Sequence, residues 1–124
     1  MASDAIPLIE EAVRRFLDEV PALKPMKLVV GIQLRGRGDV QEFRLQLPEV
    51  DVRKDVAADA KVRVEMQRAF FNEMAKDAKV ADWREAFMYG QAKATGPTQI
   101  LQLIERVVDK HEERERLRHG RHMS

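Results

Sequence analysis

Cysteine is absent from the 124-residue chain, which excludes disulfide bridges, thiolate nucleophiles and metal sites held by thiolates. Long apolar runs are also missing. The longest, Leu28 to Ile32, is far shorter than the roughly 20 residues that cross a bilayer. Neither sign of charge dominates, because 22 Lys and Arg against 21 Asp and Glu leave a net charge of +1. Nucleic-acid-binding proteins normally carry a strongly basic face, so we expect no nucleic-acid partner.

Serine and histidine are scarce in the body of the chain. The serines are Ser3 and Ser124, and the histidines are His111, His119 and His122 near the carboxyl end. A Ser-His-acid arrangement cannot be built from these positions, so we expect no catalytic residues and no enzyme. His119 and His122, three residues apart, could share a metal ion, but a solvated tail explains them better and no metal site is predicted.

Other catalytic and cofactor patterns are equally thin. An enzyme would need a carboxylate displaced into an apolar cavity, such as Glu73 or Glu85, and nothing in the pattern turns either one inward. Gly36 and Gly38 lack the Lys-Ser/Thr ending of a phosphate loop, so no cofactor is predicted. The segment Met1 to Pro7 shows no secretory signal, and we therefore expect a cytoplasmic protein.

The residues that are present predict one α+β domain. Apolar residues make up 44% of the chain, enough for a core in a domain of this length. From Ile6 to Val20 they recur every three or four positions, which predicts an amphipathic helix with Ser3 or Asp4 as its N-cap. Pro21 then ends that helix.

Alternation with a period of two predicts the strands. Leu28 to Leu34 and Phe43 to Leu47 form a hairpin around the turn at residues 35–39. Val50 and Val52 indicate a short edge strand, and Val62 to Met66 a fourth strand. The polar side chains of these strands predict a sheet that is solvated on one face and covered on the other: Glu42, Arg44, Arg63 and Glu65.

The remaining segments supply the cover. Arg68 to Lys79 has helical spacing, and Asp82 is the expected N-cap of a short helix that presents Trp83, Phe87 and Met88. Gln91 to Thr95 suits a last strand, and Thr98 is the expected cap of an apolar helix. The predicted order is helix, β-meander, two short helices, strand and helix. The sheet is expected to be mainly antiparallel and five-stranded, with helices over one face.

The run Ala86-Phe87-Met88-Tyr89-Gly90-Gln91-Ala92-Lys93-Ala94-Thr95-Gly96, followed by an apolar helix over Leu101 to Val108, resembles the closing signature of the sterol carrier protein type two family. The order of elements upstream is similar as well, so the resemblance covers about residues 5–108. It implies a single-domain, bacterial-like member in residues 1–108. It also implies helices and a sheet that enclose an apolar tunnel for a sterol, a fatty acyl chain or an acyl-CoA.

The resemblance also implies which residues bind the ligand. They are the apolar side chains expected around the tunnel, Phe70, Phe71, Met74, Phe87, Ile100, Leu101 and Ile104, and those expected as its floor, Val30, Ile32, Phe43, Leu45 and Val64. Two departures from the family pattern stand out. Ala92 and Ala94 replace large aliphatic residues in the last strand, and residues 76–79 lack the usual glycine.

Two hypotheses follow. The first is non-enzymatic binding or transfer of a hydrophobic small molecule. The alternative is an accessory module with the same fold and a filled core, acting through its surface or as a homo-oligomer. The edge near Val50 and Val52 could pair with another chain, for instance in a homodimer, or simply end the sheet. Residues 109–124 are expected to form a charged helical extension or tail. Its stripe of Lys110, Arg114 and Arg118 allows at most a weak contact with an anionic membrane.

Overall fold

The segments with a period of two form a single sheet. The computed structural model describes the backbone of residues 5–123 and the side chains of residues 5–118. The predicted N-cap at Ser3 or Asp4 and the histidine pair at 119 and 122 lie outside the described residues and side chains. The sheet consists of β1 (Leu28–Arg35), β2 (Val40–Leu47), β3 (Asp51–Arg53), β4 (Val62–Gln67) and β5 (Ala92–Thr95), in the spatial order β3-β2-β1-β4-β5.

The segments with helical spacing form the helices. They are α1 (Ala5–Glu19), α2 (Arg68–Asp77), α3 (Val80–Met88) and α4 (Thr98–Met123), with a turn of 3₁₀ helix at Pro21–Leu23 after α1. Proline suits that position, because the backbone N–H that proline lacks would have no partner within the first turn of a helix. These elements confirm the predicted α+β class.

The order of the strands differs from the predicted meander. β4 lies beside β1 and runs parallel to it, with Ile32 opposite Val64, whereas the other three pairs are antiparallel. A parallel neighbour cannot be reached through a tight turn, so the chain needs a crossover connection. Residues 54–61 provide it, leaving β3 at the edge of the sheet as predicted.

The inner face of the sheet is apolar across all five strands. One transverse row contains Val52, Leu45, Val30 and Val62, and the next contains Phe43, Ile32, Val64 and Ala94. Phe43 and Leu34 are fully buried. Each helix adds buried side chains to this core: Ile9, Ala12 and Leu17 from α1, Phe71 and Ala75 from α2, Val80, Trp83 and Ala86 from α3, and Val108 from α4.

The start of α3 corrects two predictions. Lys79, not Asp82, is the N-cap residue, and the Asp82 carboxylate accepts a hydrogen bond of 2.8 Å from the Lys79 backbone N–H. Of the three side chains expected to point inward, only Trp83 does so. Phe87 is 39% exposed and Met88 is 66% exposed. The helix is nine residues long, and its buried side is already occupied by Val80, Trp83 and Ala86.

The start of α4 gives a further correction. The carbonyl of Pro97 accepts the first helical hydrogen bonds, from the N–H groups of Ile100 and Leu101. Thr98 is therefore the first residue inside the helix and not its cap. From there α4 continues without interruption into the charged segment that the sequence predicted to extend it.

Candidate functional site

The twelve residues predicted to bind a ligand fall into three groups. Five belong to the packed core, Val30, Ile32, Phe43, Leu45 and Phe71. Six are half-buried and pack against that core, Val64, Phe70, Met74, Ile100, Leu101 and Ile104. The last, Phe87, is exposed and is not brought together with the others. The structure therefore places eleven of the twelve in or against one apolar layer between the sheet and the helices.

Helices α2 and α3 meet over the edge of this layer and leave a groove between them, called here the α2–α3 groove. Its volume is about 330 Å³, and it opens to solvent. Nine residues line it: Phe70, Glu73, Met74, Asp77, Ala78, Asp82, Glu85, Tyr89 and Gln91. Two of the predicted ligand-binding residues, Phe70 and Met74, are thus half-buried in the floor of a groove at the surface.

The floor of the groove follows from the local sequence. β4 leads directly into α2 at the extended residue Gln67, so the first turn of the helix carries Phe70 and Phe71 side by side. Phe71 turns into the core, where its ring centroid lies 6.4 Å from that of Trp83. Phe70 and Met74 are four residues apart and share the flank that lines the groove.

The rim of the groove is acidic. Glu73 and Asp77 line it from α2, and Asp82 and Glu85 line it from α3. Among the lining side chains that the structure describes there is no Lys or Arg. Because like charges flank a narrow apolar floor, the groove favours cations over anions.

One basic neighbour, Lys76, pairs with Glu73 at 3.2 Å, and the others contact different parts of the molecule. Lys76 and Lys79 line a different cleft, and an Arg84 guanidinium nitrogen lies 2.7 Å from a carboxylate oxygen of Asp109 on α4. The groove lining therefore contains carboxylates and no cation, although Asp77 also lines the second cleft and Glu73 is paired with Lys76. The sequence analysis did not predict this rim, although Glu73 and Asp77 are four residues apart and therefore share one face of a helix.

The second cleft lies between α1, the α2–α3 junction and α4. Its volume is about 700 Å³, and its lining contains charges of both signs. α1 connects the short helices here: Arg15 donates a hydrogen bond of 3.0 Å to the carbonyl of Ala75, and Glu19 accepts one of 3.0 Å from the N–H of Val80. These two bonds satisfy backbone groups at the end of α2 and the start of α3. His111 on α4 approaches Glu19 at 3.7 Å.

A third concave region, of about 180 Å³, lies on the outer face of the sheet around Gly31 and Arg63. The 54–61 segment borders it and is held by two arginines. Arg63 donates a hydrogen bond of 2.8 Å to the carbonyl of Ala57, and Arg44 binds both carboxylate oxygens of Asp59 at 3.1 and 2.8 Å. The hydrogen bonding between Arg44 and Asp59 lowers the pKa of Asp59 and raises the pKa of Arg44. The lining contains both polar and apolar residues, and the arginine contacts to the loop indicate a structural role for this region.

Among the described residues, no group of three or more His, Asp or Glu side chains is arranged to hold a metal ion. None of the helices in that part of the chain is both long and apolar enough to span a bilayer. Glu73 and Glu85, the carboxylates that an enzyme would have needed in an apolar cavity, both lie on the rim of the α2–α3 groove, and Glu73 pairs with Lys76 at 3.2 Å.

Comparison with known proteins gave no matching family model and no matching curated protein. Solved structures do match. The palmitated sterol carrier protein 2-like 2 of Aedes aegypti shares 16% identity over 81% of this chain and 93% of its own, with a TM-score of 0.55. The sterol carrier protein domain 2 of Helicoverpa armigera shares 15% identity over 86% of this chain and 84% of its own, also with a TM-score of 0.55.

A third match, Aedes aegypti sterol carrier protein 2 in complex with palmitate, shares 18% identity over 87% of this chain and 94% of its own, with a TM-score of 0.52. All three cover most of both chains, so the likeness extends over the whole architecture. At this level of identity it concerns the arrangement of helices and strands. The resemblance read from the sequence is confirmed to that extent: the chain has the fold of the sterol carrier protein 2 family.

Proposed function

We propose that this protein binds and transfers a hydrophobic small molecule with an acyl chain or a sterol skeleton, without catalysing a reaction. The observation that carries the proposal is the half-buried apolar floor of the α2–α3 groove, where Phe70 and Met74 join the surface to the core. Two solved structures with the same fold are described as palmitated or in complex with palmitate, which supports an acyl ligand. Burial of hydrocarbon stabilises such a complex by about 0.8 kcal/mol per CH₂ group.

Flexible side chains favour this use of the apolar layer. Met74 is unbranched and adapts to ligands of different shape. The inner face of β5 carries two small side chains, Ala92 and Ala94, which occupy little volume. Ala94 is half-buried. The half-buried residues of α4, Ile100, Leu101 and Ile104, extend the same apolar layer. We infer that a ligand chain enters at the groove and displaces these partly buried side chains, leaving the fully buried floor of the sheet intact.

The first test is extraction of the purified protein with organic solvent, followed by mass spectrometry of the extract. An unrelated protein from the same host is the control. Near one acyl lipid or sterol per chain supports the proposal and names the ligand class. Titration of the emptied protein with palmitate, palmitoyl-CoA and cholesterol is followed through Trp83, which is buried against Phe71.

A pair of methionine variants localises the site. Met74→Glu places a charge in the floor of the groove, and we expect it to weaken uptake by at least about tenfold because a charge is expensive to bury beside a hydrocarbon chain. Met88→Glu is the matched control, since Met88 is 66% exposed and does not line the groove. Equal uptake by both variants, each verified as folded by circular dichroism, would remove the groove from the proposal.

The accessory-module hypothesis is the second candidate. It is favoured by the tight burial of the predicted tunnel floor, where Val30, Ile32, Phe43 and Leu45 are each at most 8% exposed. An extract without a bound lipid, together with unchanged Trp83 fluorescence in all three titrations, would favour the accessory-module hypothesis over the carrier hypothesis. The cytoplasmic location, the weak membrane contact and the absence of nucleic-acid binding remain predictions from the sequence.

A further inference from the structure

One exposed surface of α4 is complementary in charge to the α2–α3 groove. Leu103, Arg106, Lys110, Arg114 and Leu117 are all exposed, and at 3.6 residues per turn they fall within about a quarter of the helix circumference. We call them the basic stripe of α4. It combines three cations with two leucines that are 50% and 61% exposed. Single exposed leucines are common on protein surfaces, so the inference depends on the cations that share this face with them.

The groove provides the opposite chemistry. Its rim carries four carboxylates, of which Glu73 is already paired with Lys76, and Tyr89 at its edge is 71% exposed. The part of α2 that lines the groove, Phe70–Asp77, spans seven residue steps, about 10 Å of helix. The distal part of the stripe, from Lys110 to Leu117, spans the same length. Leu117, with Lys110 and Arg114 before it on the same face, therefore matches an apolar floor with carboxylates on its rim in both charge and size.

The positions of the two surfaces permit a reciprocal exchange. On α3, Asp82 and Glu85 face the groove, whereas Arg84 between them contacts Asp109 of α4. The groove and α4 therefore lie on the two flanks of the same helix. Two chains facing each other through α3 can each offer a basic stripe to the other's groove, which is the arrangement that a two-fold axis requires.

We propose that this protein forms a symmetric homodimer in which the basic stripe of α4, between Lys110 and Leu117, occupies the α2–α3 groove of a second copy. Leu117 of the second copy covers the floor at Phe70 and Met74, and Arg114 and Lys110 of that copy lie against the carboxylates of the rim. The proposal rests on the charges and exposure of this chain. Because the stripe covers the groove at which the proposed ligand enters, we expect the lipid-free protein to dimerise and ligand uptake to weaken the dimer.

The test is sedimentation velocity of the full chain over a range of concentrations, with two charge-reversal variants. Arg114→Glu places an acid against the acidic groove, and Glu85→Lys places a base against the basic stripe. Each variant alone mismatches both contacts of the dimer, and we expect dimerisation to weaken at least about tenfold. An equimolar mixture of the two variants restores both contacts, and we expect it to dimerise within about threefold of the unchanged protein.

Controls and other outcomes complete the test. Arg37→Glu reverses an exposed charge in the β1–β2 turn and is expected to leave the dimer intact. Dimerisation of the unchanged chain is expected to weaken between 50 and 500 mM salt, because exposed charges are screened. A monomer at every concentration, a dimer insensitive to either reversal, or a mixture no better than its components would overturn the proposal. Binding of the stripe to anionic phosphatidylglycerol vesicles by a chain that stays monomeric would also overturn it.

Discussion

The two faces of the sheet use the same strands but are covered in different ways. On the inner face Phe43 and Leu34 are fully buried, and four helices supply the cover. On the outer face the alternate residues are mostly charged or polar, and the loop at residues 54–61 covers part of them through hydrogen bonds from Arg44 and Arg63. The comparison indicates that burial of apolar surface provides most of the stability, while directional bonds position a short crossover connection.

The largest effect is expected when a side chain is removed from the inner face. Phe43→Ala deletes a fully buried ring in the row with Ile32, Val64 and Ala94, and we expect the free energy of unfolding to fall by about 3–5 kcal/mol. Urea denaturation followed by circular dichroism measures it. The control is Val40→Ala on the same strand, where the side chain is 50% exposed and we expect less than about 1 kcal/mol. Similar losses for both variants would contradict the assignment of the inner face as the core.

An intermediate effect is expected at Gly31, where the loop closely approaches the outer face. A Cβ atom there would lie 3.2 Å from an Arg63 guanidinium nitrogen and 3.5 Å from the Cβ atoms of Ala57 and Ala60. Gly31→Val therefore pushes the loop away, and we expect a loss of about 1–3 kcal/mol in the same denaturation experiment. Faster proteolytic cleavage at residues 54–61 is the accompanying sign. A variant as stable and as resistant as the unchanged protein would show that the loop does not pack on the sheet.

The smallest effect concerns the pair between Arg44 and Asp59. Because the hydrogen bond from Arg44 lowers the pKa of Asp59, the folded state binds fewer protons than the unfolded state. The contribution of the pair is present above the ordinary carboxyl pKa of about 3.9 and is lost as the pH falls through the lowered pKa of the folded state. The melting temperatures of the unchanged protein and Asp59→Asn should therefore differ slightly at pH 6 and converge toward pH 3.

Glu113→Gln is the control for that comparison, since it removes an exposed carboxylate from α4. A difference between the unchanged protein and Asp59→Asn that stays constant from pH 6 to pH 3 would contradict the assigned linkage. An equal, pH-dependent change in the control would assign the effect to the net charge of the chain. Together the three experiments order the two faces by their contribution to stability.

Much of the fold was predictable because its signals are local. The alternation from Leu28 to Leu34 and from Phe43 to Leu47 predicted β1, β2 and their buried face, and all four alternate positions of β1 are buried. The short edge strand was predicted at Val50 and Val52. It is confirmed at Val52, whereas Val50 precedes β3 in a turn with a φ of 59°. The candidate site was predicted less completely: Phe70 and Met74 line the groove, but Phe87 is exposed and the acidic rim was missed.

The sequence by itself determined which residues form helices and strands and which side of each element is apolar, because both follow from the spacing of residues along the chain. Only the tertiary structure decided that β4 pairs with β1 in parallel, that Phe87 faces solvent, and that four carboxylates from two helices line one groove. Periodicity specifies the face of an element and not its neighbour. The neighbour depends on which apolar faces pack together, and that is decided by the chain as a whole.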